Sequence, residues 1–284
     1  MSPAPGAARW RRTRPHRFPR VPDALYESDE DGRFSPTELT RGPWNPDHQH
    51  AGPPAALLAR AIEGASTIAA GQTARLSFDI LAPVPIAPLA VATRTLRAGR
   101  RIEQIEATLS GTDGDKPLMR ANAWRMRTLE SPEVATPEPP PPSHAEARSV
   151  GFEGWPGEDE IAYRDALEWH WISGSFTDPG PACVWTRLSY PLVAETETSP
   201  LERLLVMADA ASGVSAMLNW HEWLFVNLDL AINLERPPRG EWMAMDAQTR
   251  IGDTGAGQCT SVLSDGLGRV GTSAQSLLVE RRRN

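Results

Sequence analysis

Cysteine is nearly absent: Cys183 and Cys259 are the only two in 284 residues, and neither belongs to a CxxC pair. That excludes a disulfide framework or a metal knuckle and fits a reducing, cytoplasmic setting. No apolar run approaches the ~20 residues of a membrane-spanning helix, so no membrane span is expected. Positive charge is in deficit, with a net charge of -7, which argues against a nucleic-acid groove, since phosphate binding needs a basic face. No GxSxG occurs, so a nucleophile elbow is not expected. Gly266 to Gly271, GLGRVG, matches a dinucleotide fingerprint only by letter; too little chain follows it for a crossover helix and a second strand, and it reads as a hairpin. His48 and His50 lie beside Asp47, but the other histidines (His16, His144, His170, His221) are scattered and no metal site is expected.

What is present is organised around Ser199 to Leu218, SPLERLLVMADAASGVSAML, read as one buried helix. Ser199 and Glu202 make a capping box with Pro200 at the first helical position, and Leu201, Leu204, Leu205 and Ala208 recur at helical spacing. From Leu204 to Leu218 the only ionisable side chain is Asp209. A carboxylate near that apolar stripe costs several kcal/mol, roughly, unless it has partners, so Asp209 is either a hydrogen-bonded structural acid or a working one.

The first twenty residues carry six arginines, four prolines and no acid, and residues 1–22 are expected to be a solvated basic arm. Ala24 to Ser28 and Arg33 to Leu39 read as a hairpin around DEDG. Pro53 and Pro54 then open a helix running to Gly64. Thr73 to Leu81, Leu89 to Arg97, Arg101 to Gly111 and Leu118 to Arg127 follow as strands of an antiparallel meander. The proline-rich stretch TPEPPPPS marks residues 131–150 as a linker. Beyond it the pattern restarts. Strands are expected at Ala166 to Phe176 and Cys183 to Val193. After the Ser199 helix come Asn227 to Glu235, Glu241 to Arg250, Gly257 to Ser264 and Val270 to Arg281. TARLSFDILAP set against NLDLAINLERP superposes Thr73 on Asn227 and Pro83 on Pro237, a repeat near 154 residues. The expected units are therefore 23–130 and 151–284, with a site between them.

Four segments in this order, HAGPPAALLARAIE, MADAASG, NLDLAINLERP and SDGLGRVGTSAQSLLVER, make the chain from Ala24 to Arg282 resemble the acyl-CoA thioesterase II type of the hotdog superfamily. The resemblance implies an α+β fold of two fused hotdog units, each a long helix wrapped by a curved antiparallel sheet, and further association into a homodimer. It implies hydrolysis of an acyl-CoA or acyl-carrier thioester without a cofactor. By position it assigns the water-holding trio to Asp209, Asn227 and Gln275, with Asn227 standing where the family has a threonine. An amide still donates to and accepts from water. Substrate contacts are expected at His50, Ala51 and Gly52, where helix-terminal amides favour a negative oxygen and glycine admits a close approach. Arg97, Arg100, Arg101, Arg236 and Arg239 are candidates for the CoA phosphates, and the ten tryptophans for the core and an acyl tunnel.

Two other readings stay open. WNPDHQH places Asn45, Pro46 and His48 as in the DxNPxH-like segment of hotdog hydratases and dehydratases, but Pro43 stands where that segment has its aspartate. Asn227 also suits a non-catalytic acyl-CoA or lipid-binding protein.

Overall fold

Proline pre-sets the backbone for a first helical turn and alternating apolar residues suit a half-buried strand, and these two signals place most of the elements. The computed structural model describes residues 22–282 except 113, 115, 138, 139 and 153–159, so most of the basic arm lies outside the described residues. The first half holds β1 (Tyr26–Ser28), β2 (Phe34–Pro36), α1 (Gly52–Gly64), β3 (Gly71–Ile80), β4 (Leu89–Arg97), β5 (Ile102–Gly111) and β6 (Pro117–Arg127). The second holds β7 (Leu167–Ser173), β8 (Ala182–Leu188), α2 (Pro200–Ala208), α3 (Ala211–Val214), β9 (Trp223–Asn227), β10 (Asp229–Leu234), β11 (Trp242–Ile251), β12 (Ala256–Asp265) and β13 (Gly268–Arg281). This is an α+β double hotdog.

The strands form one antiparallel sheet in the order β1-β2-β4-β5-β6-β3-β10-β13-β12-β11-β8-β7, with β9 also on β13. The halves meet edge to edge where β3 pairs with β10, and there Ser77 faces Ala231, residues separated by the repeat spacing of 154. Equivalent positions facing each other is what a pseudo-two-fold axis at that pair requires. β1 ties the halves together again, through Leu25 and Tyr26 N–H groups donated to the Pro191 and Leu192 carbonyls at 3.1 and 3.0 Å. Leu57, Leu58 and Ile62 of α1 and Leu204, Leu205 and Met207 of α2 are fully buried within the sheet's curve.

The strands expected to reach Leu39 and Phe176 end at Pro36 and Ser173, and three further elements differ from expectation. The Ser199 helix stops at Ala208 and restarts at Ala211. The strand expected from Asn227 is divided at Leu228, whose N–H bonds the Ser276 carbonyl (2.9 Å) while its carbonyl takes the Ile80 N–H (2.9 Å). Its first part, β9, begins upstream at Trp223. The strand expected to reach Val193 ends at Leu188, because Pro191 cannot continue a ladder.

Part of the proline-rich stretch is held against the second half. Trp185 Nε1 donates to the Pro142 carbonyl at 3.0 Å, and Arg148 bridges to Trp171. His144 Nε2 lies 2.8 Å from His170 Nδ1, a contact in which one nitrogen donates and the other accepts. Burial first, then His170 and Arg187, hold His144 below the ordinary imidazole value. The unfolded chain thus takes up this proton first as the pH falls through about 6.5. Stability from the clasp is complete above that pH and lost below it. The urea midpoint is expected to fall from about pH 7.5 to about pH 5.5, and His144→Gln to flatten that dependence; an unchanged slope in the variant refutes the clasp.

Candidate active site

The site begins with the break after Ala208. At the start of α2 the capping box forms as its residues dictate: Glu202 N–H donates to Ser199 Oγ at 3.2 Å, and Ser199 N–H to Glu202 Oε2 at 2.9 Å. At the far end Ala210 N–H turns to the Met207 carbonyl (2.9 Å) instead of reaching back a full turn to Val206. Two side chains from distant segments make up the lost helical bonds. Tyr163 OH donates to the Val206 carbonyl at 2.5 Å, and Gln275 Nε2 to the Asp209 carbonyl at 2.9 Å. Gln275 Oε1 accepts the Ser212 N–H of α3 at 3.2 Å. The amide of Gln275, buried on β13, is thereby committed to both sides of the break. The resemblance implies that Gln275 holds water; its side-chain amide bonds the backbone on both sides of the break beside Asp209.

The break aims Asp209 at the first half. α1 and α2 pack antiparallel, with Arg60 late in α1 gripping Glu202 early in α2 at 2.9 and 3.1 Å. The N-terminus of α1 consequently meets the C-terminus of α2. A Cβ on Gly52 would fall 2.4 Å from the Val206 carbonyl oxygen. Glycine at 52 therefore answers the contact between helices.

The Asp209 side chain is 3% exposed. Its Oδ1 accepts from Asn227 Nδ2 at 2.7 Å and lies 3.4 Å from Gln275 Nε2; its Oδ2 is 3.0 Å from His50 Nδ1. These donors, with the positive end of the α1 dipole, offset the desolvation of a buried carboxylate. His50 Nδ1 is also 3.3 Å from the Gly52 N–H. One nitrogen cannot donate to Asp209 and accept from Gly52 together. The shorter contact, to the carboxylate, is the one in which Nδ1 donates. Tyr163 stacks on the His50 ring at 3.7 Å and 3°, and its phenol is raised well above the ordinary value by burial first and by Asp209 second.

Asp209, Asn227, His50 and Ala51 line a cavity of about 330 Å³ whose walls come from both halves, including 42–45, 80–84 and 225–228. Gly52 and Gln275 sit behind this wall. His48 also lines it, but its backbone is engaged in a turn with Asn45 and Gly42, and the imidazole that meets an acid is His50. None of Arg97, Arg100, Arg101, Arg236 and Arg239 lines the cavity. Arg236 is locked to Asp265 at 2.6 and 2.7 Å, and Arg97 lies over Trp124. Arg164 does line it and, with Arg41, borders an adjoining recess of about 200 Å³.

The first half carries a different cluster near its corresponding strand. Thr73, the repeat counterpart of Asn227, accepts from Arg125 Nη1 at 2.9 Å, and that nitrogen also meets Glu63 at 2.7 Å. A guanidinium occupies the neighbourhood of Thr73, so the two halves are chemically unlike. Tyr163, Trp44, Trp220 and Phe225 escaped sequence reasoning as site residues. Tyr163 falls in a stretch without periodicity and, like Phe225, carried no signal; Trp44 and Trp220 were legible only as two of ten tryptophans.

A family model described as the acyl-CoA thioesterase C-terminal domain matches residues 130–279, and one described as the acyl-CoA thioesterase N-terminal domain matches residues 40–126. No curated protein matches the sequence. Among solved structures, a protein described as a thioesterase II, from Thermobifida fusca, is 17% identical with a TM-score of 0.71, covering 91% of this chain and 96% of its own. A hot dog fold protein of unknown function from Alicyclobacillus acidocaldarius is 16% identical (TM-score 0.68; 92% and 98% covered). An acyl-CoA thioesterase II from Mycobacterium marinum is 14% identical (TM-score 0.63; 91% and 96% covered). At such identities the structural likeness is one of fold, while the family matches extend over both halves. The chain belongs to the acyl-CoA thioesterase family, its N- and C-terminal hotdog domains fused in one polypeptide.

Proposed function

We propose that the chain hydrolyses an acyl-CoA or acyl-carrier thioester with a water activated by Asp209. The observation that carries this reading is the buried carboxylate brought to the N-terminus of α1, 2.7 Å from Asn227 and 3.0 Å from His50. Pro53 and Pro54 have no N–H, so the donors of that helix end reduce to the amides of Ala51, which lines the cavity, and of Gly52 just behind it. In this reading the thioester carbonyl points at those amides, which stabilise the developing oxyanion. Asn227, its amide nitrogen turned to Asp209, offers its carbonyl oxygen to the water. Asp209 accepts the water proton as the C–O bond forms. The C–S bond then breaks and the proton passes to the departing thiolate, giving a free acid and a thiol. His50, oriented by Asp209 and Tyr163, lies against the reacting group. A homodimer and a reducing, cytoplasmic setting go with this reading; both cysteines are buried free thiols.

A second reading is favoured by one observation. An imidazole facing a carboxylate across the two halves, His50 and Asp209, is also a pair able to add water across the double bond of an enoyl thioester. The test is incubation with saturated and enoyl acyl-CoAs, following free thiol and loss of the enoyl absorbance separately. Thiol release supports hydrolysis. Enoyl loss without thiol supports hydration, and binding without either overturns both in favour of a binding protein.

A further inference from the structure

The cavity joins a polar wall, where Asp209, Asn227 and His50 lie, to an aromatic one made by Trp44, Phe176, Trp220 and Phe225. The aromatic residues come from both halves and are assembled on one another. Trp44 and Trp220 stack with centroids 4.9 Å apart at 29°. Phe225 meets Trp44 edge-on at 4.9 Å and 84° and lies 4.5 Å from Trp220. Three further contacts hold the stack. Gly213 has no side chain where a Cβ would come within 3.3 Å of the Trp220 ring; Trp220 Nε1 reaches the Phe176 carbonyl at 3.4 Å; and the Arg282 guanidinium covers the Trp44 ring at 5.4 Å. A wall fastened in this way does not open into a tunnel as an isolated side chain swinging aside would allow. The volume it encloses, about 330 Å³, is at the low end of ligand cavities, which run from about 300 to 1,000 Å³.

Resting on the thioester reading, we infer that this site takes a short aromatic acyl group, an aryl or arylalkanoyl thioester, with its ring against Trp44, Trp220 and Phe225. A flat ring offers these side chains the offset-stacked and edge-to-face contacts they already make with each other. It also has fewer rotors to immobilise than an alkyl chain of equal carbon number. A long straight chain meets the fastened stack instead of a tunnel.

The test compares kcat/KM for phenylacetyl-CoA, octanoyl-CoA (equal in carbon number) and palmitoyl-CoA. Phenylacetyl-CoA is expected to lead octanoyl-CoA by about tenfold or more, the scale on which an apolar pocket discriminates, and palmitoyl-CoA by a wider margin. Trp220→Ala, and Phe225→Leu as a milder variant should the first not fold, is expected to narrow the ratio by losing phenylacetyl and gaining palmitoyl turnover. Equal turnover of the octanoyl or palmitoyl ester, or a ratio that the folded variant leaves unchanged, overturns the aromatic assignment and leaves thioester hydrolysis standing. Should no thioester be hydrolysed, the thioesterase reading fails and calorimetry decides this inference separately. The probes are the uncleavable ketones S-(2-oxo-3-phenylpropyl)-CoA and S-(2-oxononyl)-CoA. Tighter binding of the phenyl analogue supports it; equal or weaker binding, or none by either, refutes it.

Discussion

Asp209→Asn is expected to lower kcat for thioester hydrolysis by about 10²- to 10⁴-fold, the range that a positioned general base contributes. The substitution preserves shape, so the apolar contacts of α2 persist. What is lost is an acceptor for the water proton, since an amide is not basic at neutral pH. The hydrogen bonds reorganise as well. Asn227 Nδ2, now 2.7 Å from a carboxylate oxygen, and His50 Nδ1, 3.0 Å from the other, would confront an amide that accepts at one end only. One of the two donors then faces an NH₂ group. The effect belongs mainly to kcat, because substrate is held by the cavity walls and the amides of α1. Parallel thermal melts separate a chemical loss from a folding one. Hydrolysis within tenfold of the wild type in a folded variant would remove Asp209 from the mechanism.

Gly52→Ala is expected to be the most damaging small substitution at the site. Alanine is the better helix former by roughly 1 kcal/mol, which taken alone predicts stabilisation. Against this, the new Cβ would be 2.4 Å from the Val206 carbonyl oxygen, a backbone atom that also accepts from Tyr163 OH and has no rotamer by which to yield. The helices must part, and overpacking of this kind costs about 1–3 kcal/mol or more. The clash therefore outweighs the gain in helix propensity. The melting temperature is expected to fall by at least about 2–4 °C per kcal/mol lost. Activity should fall further than stability does, because parting α1 from α2 separates His50 from Asp209. A variant that melts with the wild type would show that the helix pair has slack which the geometry denies.

These two positions also mark how far the sequence could be read. Gly52 was legible as a residue of interest, but the helix contact that demands glycine there was not, because the Val206 carbonyl belongs to a residue more than a hundred positions away. Asp209 was legible as the lone acid in an apolar helix. That the helix breaks there was not, because α2 carries no glycine or proline at the break. The hydrogen bonds that offset the break are supplied by Tyr163 and Gln275, and no local pattern connects either residue to Ala208. Gln275 was singled out by position, and the backbone bonds its amide makes on both sides of the break were not legible. The aromatic wall stayed hidden for the same reason, since Trp44 and Trp220 belong to different halves and become neighbours only in the folded chain.

The sequence by itself determined the local elements and their order. Pro53 with Pro54 and Ser199 with Glu202 start the two main helices. Alternation lays out most strands, and the 154-residue spacing reappears in the pairing of Ser77 with Ala231. Such features rest on interactions between residues a few positions apart, so they can be read in order along the chain. Only the tertiary structure decided where the second helix breaks, which histidine meets the acid, and how large and how aromatic the cavity is. Each of these depends on hydrogen bonds and ring contacts between segments tens to hundreds of residues apart, made when β3 and β10 join the halves.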